Sequence, residues 1–248
     1  MHFPYCLKKC PYCDFASYPA DAPAIDHAGY ADAVTRELEL RQPTLASDLT
    51  LATVFFGGGT PSLWEPRELG RTLRAIFGAF ERRAADVEVT VECNPSSFDE
   101  RRAEELLQAG VNRVSVGVQS LDPERLAFLG RLHDAEGALS SLRAARSAGF
   151  SRVSGDLIFG VQGGRPQSPE TAAREAERIA ETGVDHVSAY GLTIEAGTTF
   201  GELHRKGRLP VASDDALVDS FFRIEEALLA RGFSHYEVSN YADRKSVV

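Results

Sequence analysis

Three segments of the chain are built to one plan. Ala109-Gly110-Val111-Asn112-Arg113-Val114-Ser115, Ala148-Gly149-Phe150-Ser151-Arg152-Val153-Ser154 and Thr182-Gly183-Val184-Asp185-His186-Val187-Ser188 each read as a helix end, a glycine, two residues, then a strand entered through Val-Ser. Glycine directly after a helix takes the left-handed conformation that closes it. The three glycines are 39 and 34 residues apart, a spacing that fits successive turns of a β/α barrel or solenoid.

The rest of the chain continues the pattern. Strands are expected at Leu51–Phe56, Val87–Glu92, Arg113–Val118, Arg152–Ile158 and His186–Leu192. Amphipathic helices are expected near Asp26–Leu40, Glu65–Phe80, Asp99–Ala109, Glu136–Ala148, Pro169–Glu181 and Asp214–Arg231. Ser168 can cap a helix that opens at Pro169, and Gly183 closes it. Alternating strands and helices, with the strands read as nearly continuous apolar runs, predict an α/β fold with a parallel sheet and helices outside. The length of 248 residues leaves no room for eight units beside the other motifs, so the expectation is a partial (β/α)6 barrel.

Before the first of these strands lie three cysteines in eight residues, Cys6, Cys10 and Cys13, spaced C-x3-C-x2-C and followed by Asp14-Phe15. Three thiolates can hold a [4Fe–4S] cluster with one iron left open to a small molecule. They can equally be part of a zinc site completed by a distant histidine, or a redox pair with a bystander. The spacing alone does not choose. Cys93 stands apart in an apolar segment, and no H-x3–5-H pair accompanies the cluster. Four cysteines in this arrangement do not make a disulfide framework, so a reducing cytoplasm is the expected setting. No apolar run reaches the ~20 residues of a membrane span, and no signal peptide precedes the cysteines. The net charge of −9 argues against a nucleic-acid partner.

Function in a parallel β/α barrel sits where strands end. Leu51–Phe56 runs into Gly57-Gly58-Gly59-Thr60-Pro61-Ser62, where missing side chains admit a ligand to the backbone. No Lys-Ser/Thr follows, so this is not a P-loop. The next strands end in Glu92-Cys93-Asn94-Pro95, in Gln119-Ser120, at Asp156 and in Tyr190-Gly191-Leu192-Thr193. Each has an ordinary structural explanation taken singly. Their shared position makes them candidates.

With these blocks in order, the chain resembles the radical S-adenosylmethionine (SAM) subfamily of oxygen-independent coproporphyrinogen III oxidases and HemW-type haem chaperones. The resemblance rests on His2-Phe-Pro-Tyr-Cys6, Cys10-Pro-Tyr-Cys13-Asp-Phe15, Gly57–Ser62, Val91-Glu-Cys-Asn-Pro95, Val116-Gly-Val-Gln119-Ser and Leu129-Gly-Arg131-Leu-His133. It continues through Asp156-Leu-Ile-Phe-Gly160, Tyr190-Gly-Leu-Thr-Ile-Glu195 and His235-Tyr-Glu-Val-Ser-Asn240. It implies that Cys6, Cys10 and Cys13 hold a [4Fe–4S] cluster whose open iron chelates SAM. It further implies that Tyr12 lies beside adenine and that Gly58, Gly59 and Thr60 bind the methionine amino group. Glu92, Gln119 and Arg131 would hold the ribose hydroxyls and the carboxylate, and Asp156 would lie along the nucleoside. A guanidinium suits a carboxylate because it can bind both oxygens at once. Reductive cleavage of SAM at such a site yields methionine and a 5′-deoxyadenosyl radical.

The two branches of the subfamily differ directly after the third cysteine. The oxidases, as the family is described, carry Gly-Cys there, whereas this chain has Asp14-Phe15, the pattern of the HemW branch. The resemblance therefore implies that the full-length protein is a chaperone that binds haem or another tetrapyrrole and passes it to acceptor proteins. Oxidative decarboxylation of coproporphyrinogen III is the alternative. Residues 1–242 are read as the radical SAM core with its first strand shortened at Met1. Asp243–Val248 is read as a non-native tail encoded by sequencing-adapter DNA, with the family's C-terminal domain absent.

Overall fold

In the computed structural model, residues 1–44 and 48–243 are described. Eighteen principal elements follow in chain order. They begin with the short strands β1 (His2–Phe3), β2 (Tyr5–Cys6) and β3 (Tyr18–Pro19), then α1 (His27–Arg41). Next come β4 (Thr50–Gly58), α2 (Pro66–Ala79), β5 (Arg82–Cys93), α3 (Glu100–Gln108), β6 (Arg113–Gln119), α4 (Pro123–Phe128) and α5 (Ala135–Ala148). The chain continues through β7 (Arg152–Phe159), α6 (Pro169–Ala180), β8 (His186–Gly191), α7 (Thr199–Arg205), α8 (Asp214–Ala230), β9 (Phe233–Glu237) and β10 (Asn240–Asp243).

Local chemistry sets these boundaries. Asp99, Asp134, Ser168 and Ser213 each accept a backbone N–H from the first turn of their helix, a cap worth about 1 kcal/mol. Gly149 closes α5 in the left-handed conformation, and Gly110 and Gly183, at the same place in the other repeats, also have positive φ. A side chain there would strain the backbone.

One eight-stranded sheet runs β1-β4-β5-β6-β7-β8-β10-β9. Its first six strands are parallel, and each is followed by helix before the next. The expected partial barrel of six units is therefore what the chain forms. Beyond it, β9 and β10 make an antiparallel hairpin that pairs with β8, which the sequence reading did not include. The short helices α4 and α7 were also not anticipated. Residues 244–248, most of the tail expected to be non-native, lie outside the described residues. Asp243 itself ends β10 and donates its N–H to the Asp185 carbonyl.

One expectation needs correction. The strands are not uniformly apolar runs; they alternate. Val114, Val116 and Val118 on β6, Val153, Leu157 and Phe159 on β7, and Val187 and Ala189 on β8 are buried in the main core with Leu106, Leu142, Ala176 and Ile179 of the helices. The residues between them form rows across the inner face. Thr90 pairs with Arg113 and Arg113 with Arg152; Glu92, Ser115, Ser154 and His186 make the next row; Gly117, Asp156, Ser188 and Asn240 make the one above. Barrel interiors are ordinarily filled by layers of Val, Ile and Leu. Here the inner layers are polar, because the curled sheet faces itself across a cavity rather than a second layer of helices.

Candidate functional site

The cavity has a volume of about 560 Å³. All eleven residues singled out from the sequence line it: Cys6, Cys10, Tyr12, Cys13, Gly58, Gly59, Thr60, Glu92, Gln119, Arg131 and Asp156. They come from six separate parts of the chain, so the fold does the gathering.

The cysteine loop is fastened from several sides. Gly130, just after α4, has φ +72° and lets the loop approach: a Cβ there would come within 2.7 Å of Pro11 Cδ. Phe200 at the start of α7 donates its N–H to the Pro11 carbonyl at 2.9 Å. The Tyr12 ring packs near Phe200, centroids 6.4 Å apart, so its ring is partly engaged in a small core of Leu129, Ile158 and Phe200. Burial raises the Tyr12 hydroxyl well above the phenol range, against the opposing influence of Arg131. Lys9 Nζ donates to the Phe15 carbonyl at 2.8 Å, which closes the far side of the loop.

Polar groups converge on the sulfurs. The Thr60 hydroxyl lies 3.4 Å from Cys6 Sγ, and Arg131 Nη1 lies 3.6 Å from Cys10 Sγ. Both are donors, as thiolates held on a metal centre require. Cys13 is held as the thiol by burial, countered by a backbone hydrogen bond and Lys9. Among the described residues, no three His, Cys, Asp or Glu side chains are gathered tightly enough to enclose a single metal ion. Thiolates on a cubane bind three different irons and stand further apart than ligands of one ion.

The glycine turn offers a ligand acceptors rather than donors. Gly57, Gly59 and Thr60 give their N–H groups to the carbonyls of Met1, Phe3 and Tyr5, and Gly58 N–H donates to Glu92 Oε2 at 3.0 Å. With its donors spent on protein, the turn suits a cation such as an ammonium. The turn also has no space for side chains: a Cβ on Gly58 would lie 2.4 Å from His2 Nδ1, and one on Gly59 2.6 Å from the Tyr5 carbonyl oxygen. Burial pushes the Glu92 carboxyl upward, opposed by the Gly58 hydrogen bond.

Arg131 lines the same cavity. Its Nη2 donates to the Gly117 carbonyl at 3.0 Å, while its Nε is buried with no partner in the protein. Its guanidinium is fixed by Gly117 and Cys10, a held positive charge that suits an anionic ligand. Gln119 adds a second unusual feature, a non-glycine residue at φ +67° at the tip of β6. Such conformations cluster at ligand sites. Asp156, deeper in the cavity, accepts from Ser115 Oγ at 3.0 and 2.9 Å and from Ser154 Oγ at 3.3 Å. Burial raises its carboxyl, and the Ser115 and Ser188 hydrogen bonds, with Arg113, pull it back. The thiols, acceptor turn and fixed arginine therefore fit a cluster together with a ligand carrying both an amino and a carboxylate group.

The sequence reading missed the deeper wall. Arg113, Ser115, His186, Ser188 and Tyr236 also line the cavity. The signal was present as the alternation Arg113-x-Ser115-x-Gly117-x-Gln119 and its counterparts on β7 and β8.

Known proteins match this chain along most of its length. The Radical SAM superfamily profile matches residues 1–164. The heme chaperone HemW of Mycobacterium tuberculosis is 38% identical over 242 residues, 97% of this chain and 61% of that protein. The heme chaperone HemW of Escherichia coli is 36% identical over 245 residues, 98% of this chain and 61% of the other. Among solved structures, coproporphyrinogen III oxidase (HemN) from Escherichia coli, a radical SAM enzyme, superimposes with a TM-score of 0.81 at 25% identity. That match covers 97% of this chain and 54% of that one. The chain thus spans about three fifths of the length of the bacterial relatives it matches.

Proposed function

The chain belongs to the radical SAM superfamily, and from that premise we propose that it is the cluster- and SAM-binding part of a HemW-type haem chaperone. The observation that carries this reading is the convergence of three thiols, a glycine turn whose N–H groups are spent on protein, and the fixed Arg131 guanidinium on one polar cavity. Cys6, Cys10 and Cys13 hold a [4Fe–4S] cluster. Gly58, Gly59 and Thr60 receive the methionine ammonium of SAM. Arg131 takes its carboxylate, Glu92 and Gln119 its ribose hydroxyls, and Asp156 and Tyr12 flank the nucleoside. The bound cluster supplies an electron to the SAM sulfonium when the radical chemistry is used. The chain's own part is to orient SAM between an acceptor turn and a donor arginine.

Two features favour a chaperone over an oxidase. Asp14-Phe15 follows the third ligand where the oxidase branch has Gly-Cys, and Phe15 stands 55% exposed at the cavity mouth. The HemW relatives are 32–38% identical, against 25% for the oxidase structure. Haem then binds the protein without being consumed and passes to an acceptor protein in a reducing compartment such as the cytoplasm. Anaerobically reconstituted protein separates the readings. Haem titration of the full-length protein followed by absorbance is expected to show saturable binding, with no turnover of coproporphyrinogen III in the presence of SAM and a reductant. Decarboxylated product would overturn the chaperone reading in favour of the oxidase.

A further inference from the structure

Tyr236, His186 and Ser154 form a chain of hydrogen bonds that ends on Asp156. The Tyr236 hydroxyl, on β9, lies 2.8 Å from His186 Nε2 on β8. His186 Nδ1 lies 2.8 Å from Ser154 Oγ on β7, and Ser154 Oγ reaches Asp156 Oδ1 at 3.3 Å. His186 and Ser154 are buried, whereas Tyr236 is 55% exposed. With Asp156 ionised, one arrangement of protons satisfies every link. A carboxylate only accepts, so Ser154 must give it the hydroxyl proton. Ser154 can then only accept from His186, which places the imidazole proton on Nδ1. Nε2 is left as the acceptor for the Tyr236 hydroxyl. Every donor in the chain points toward Asp156.

We propose that His186 and Tyr236 are positioning residues for Asp156, fixing through Ser154 the orientation of its carboxylate and the pH at which it ionises inside the cavity. The inference rests on the reading of Asp156 as a nucleoside contact only for its consequence in binding; the chain of hydrogen bonds stands without it. His186 is suited to the task because burial, helped by Arg113, pushes its pKa down to about 4, so it stays neutral and keeps one proton on one nitrogen. Other ionisable groups face the same space. Arg113 of β6 acts on Asp156, His186 and Tyr236. Glu92 and Cys93 of β5 and Tyr190 of β8 face Asp156, and Glu88 and Glu237 act on Tyr236. None of these is a link in the chain, so their influence remains when a link is removed.

The test needs neither cluster, SAM nor haem, so its outcome is independent of the proposed function. The Asp156 carboxyl is titrated by carbon NMR in protein labelled at the aspartate side chain and assigned with Asp156→Asn. His186→Leu, which removes a residue that does not touch Asp156, is expected to raise the Asp156 midpoint by about one pH unit, roughly a tenfold change in proton affinity. His186→Asn, whose amide N–H can take the place of Nδ1–H, is expected to restore most of the shift. Tyr236→Phe, at a half-exposed position that tolerates it, is expected to move the midpoint the same way by less. In the unsubstituted protein, nitrogen NMR is expected to show His186 protonated on Nδ1. A midpoint that stays put in folded His186→Leu and Tyr236→Phe would overturn the inference, as would a His186 proton on Nε2. If His186→Leu does not fold, Tyr236→Phe and the tautomer decide.

Discussion

The two faces of the central sheet are built from the same strands and do opposite work. On the outer face, Val114, Val116, Val153 and Leu157 are sealed against helices and make the main core. On the inner face, one residue along in each strand, Ser115, Gly117, Ser154 and Asp156 border a cavity or each other. Apolar burial is the dominant favourable term in folding, so the outer face carries the stability. The inner face gives up a filled core and holds instead a network of donors and acceptors. What the contrast teaches is that the strands keep a polar cavity on one side because the other side is sealed against helices.

Substitutions on the core side and the cavity side test that division, and the largest effect belongs to the outer face. Leu157→Ala is expected to cost about 2–5 kcal/mol of folding stability, measured by urea denaturation, with little change in SAM affinity for the folded fraction. Gly59→Ala comes next, at the junction of the two roles. Its Cβ would meet the Tyr5 carbonyl oxygen at 2.6 Å, and overpacking of that kind costs about 1–3 kcal/mol. Thermal melting should register it together with weaker iron retention.

Arg131→Lys, on a loop over the cavity, probes the binding side alone. A point-charge ammonium cannot reproduce a planar fork, so SAM affinity by calorimetry is expected to fall roughly 10- to 100-fold, a loss of about 1.4–2.7 kcal/mol. The urea midpoint should stay near that of the unsubstituted chain. An equal loss of stability would erase the distinction between the faces.

The smallest effect is electrostatic. Burial raises the folded-state pKa of Glu92 above its ordinary value, so between those two values the folded protein binds more protons than the unfolded chain. Stability attributable to Glu92 is therefore intact below the ordinary carboxylate pKa and declines as pH rises through the raised one. Glu92→Gln keeps an acceptor for Gly58 N–H and removes the charge. Its stability is expected to match the parent at low pH and to exceed it slightly at neutral pH. A parent chain more stable than Glu92→Gln at neutral pH would show that the carboxylate is favoured where it lies.

Much of this was readable from residues alone, and the limits have physical causes. The helix caps and the Gly110, Gly149 and Gly183 turns are local signals, so the borders of α3, α5 and α6 fall within a residue or so of expectation. The strand tips carrying Glu92, Gln119 and Asp156 followed from the same periodicity. Arg131 was found through the Leu129–His133 block, because it sits on a loop after a helix too short to show a period. The hairpin Phe233–Asp243 is defined by pairing with β8, a contact between distant segments that no local pattern encodes. His186 and Tyr236 escaped for a related reason: each looks ordinary in its own strand, and they meet only when β8 and β9 are brought together.

The claim that most needs testing is that the hollow inner face, with its three thiols, holds a cluster open to SAM. Iron analysis and electron paramagnetic resonance on the anaerobically reconstituted, reduced chain address it together. About four irons per chain are expected, a [4Fe–4S] content, with a reduced-cluster signal that changes when SAM is added and disappears in Cys10→Ala. One tightly bound zinc, or an iron signal indifferent to SAM, would contradict it.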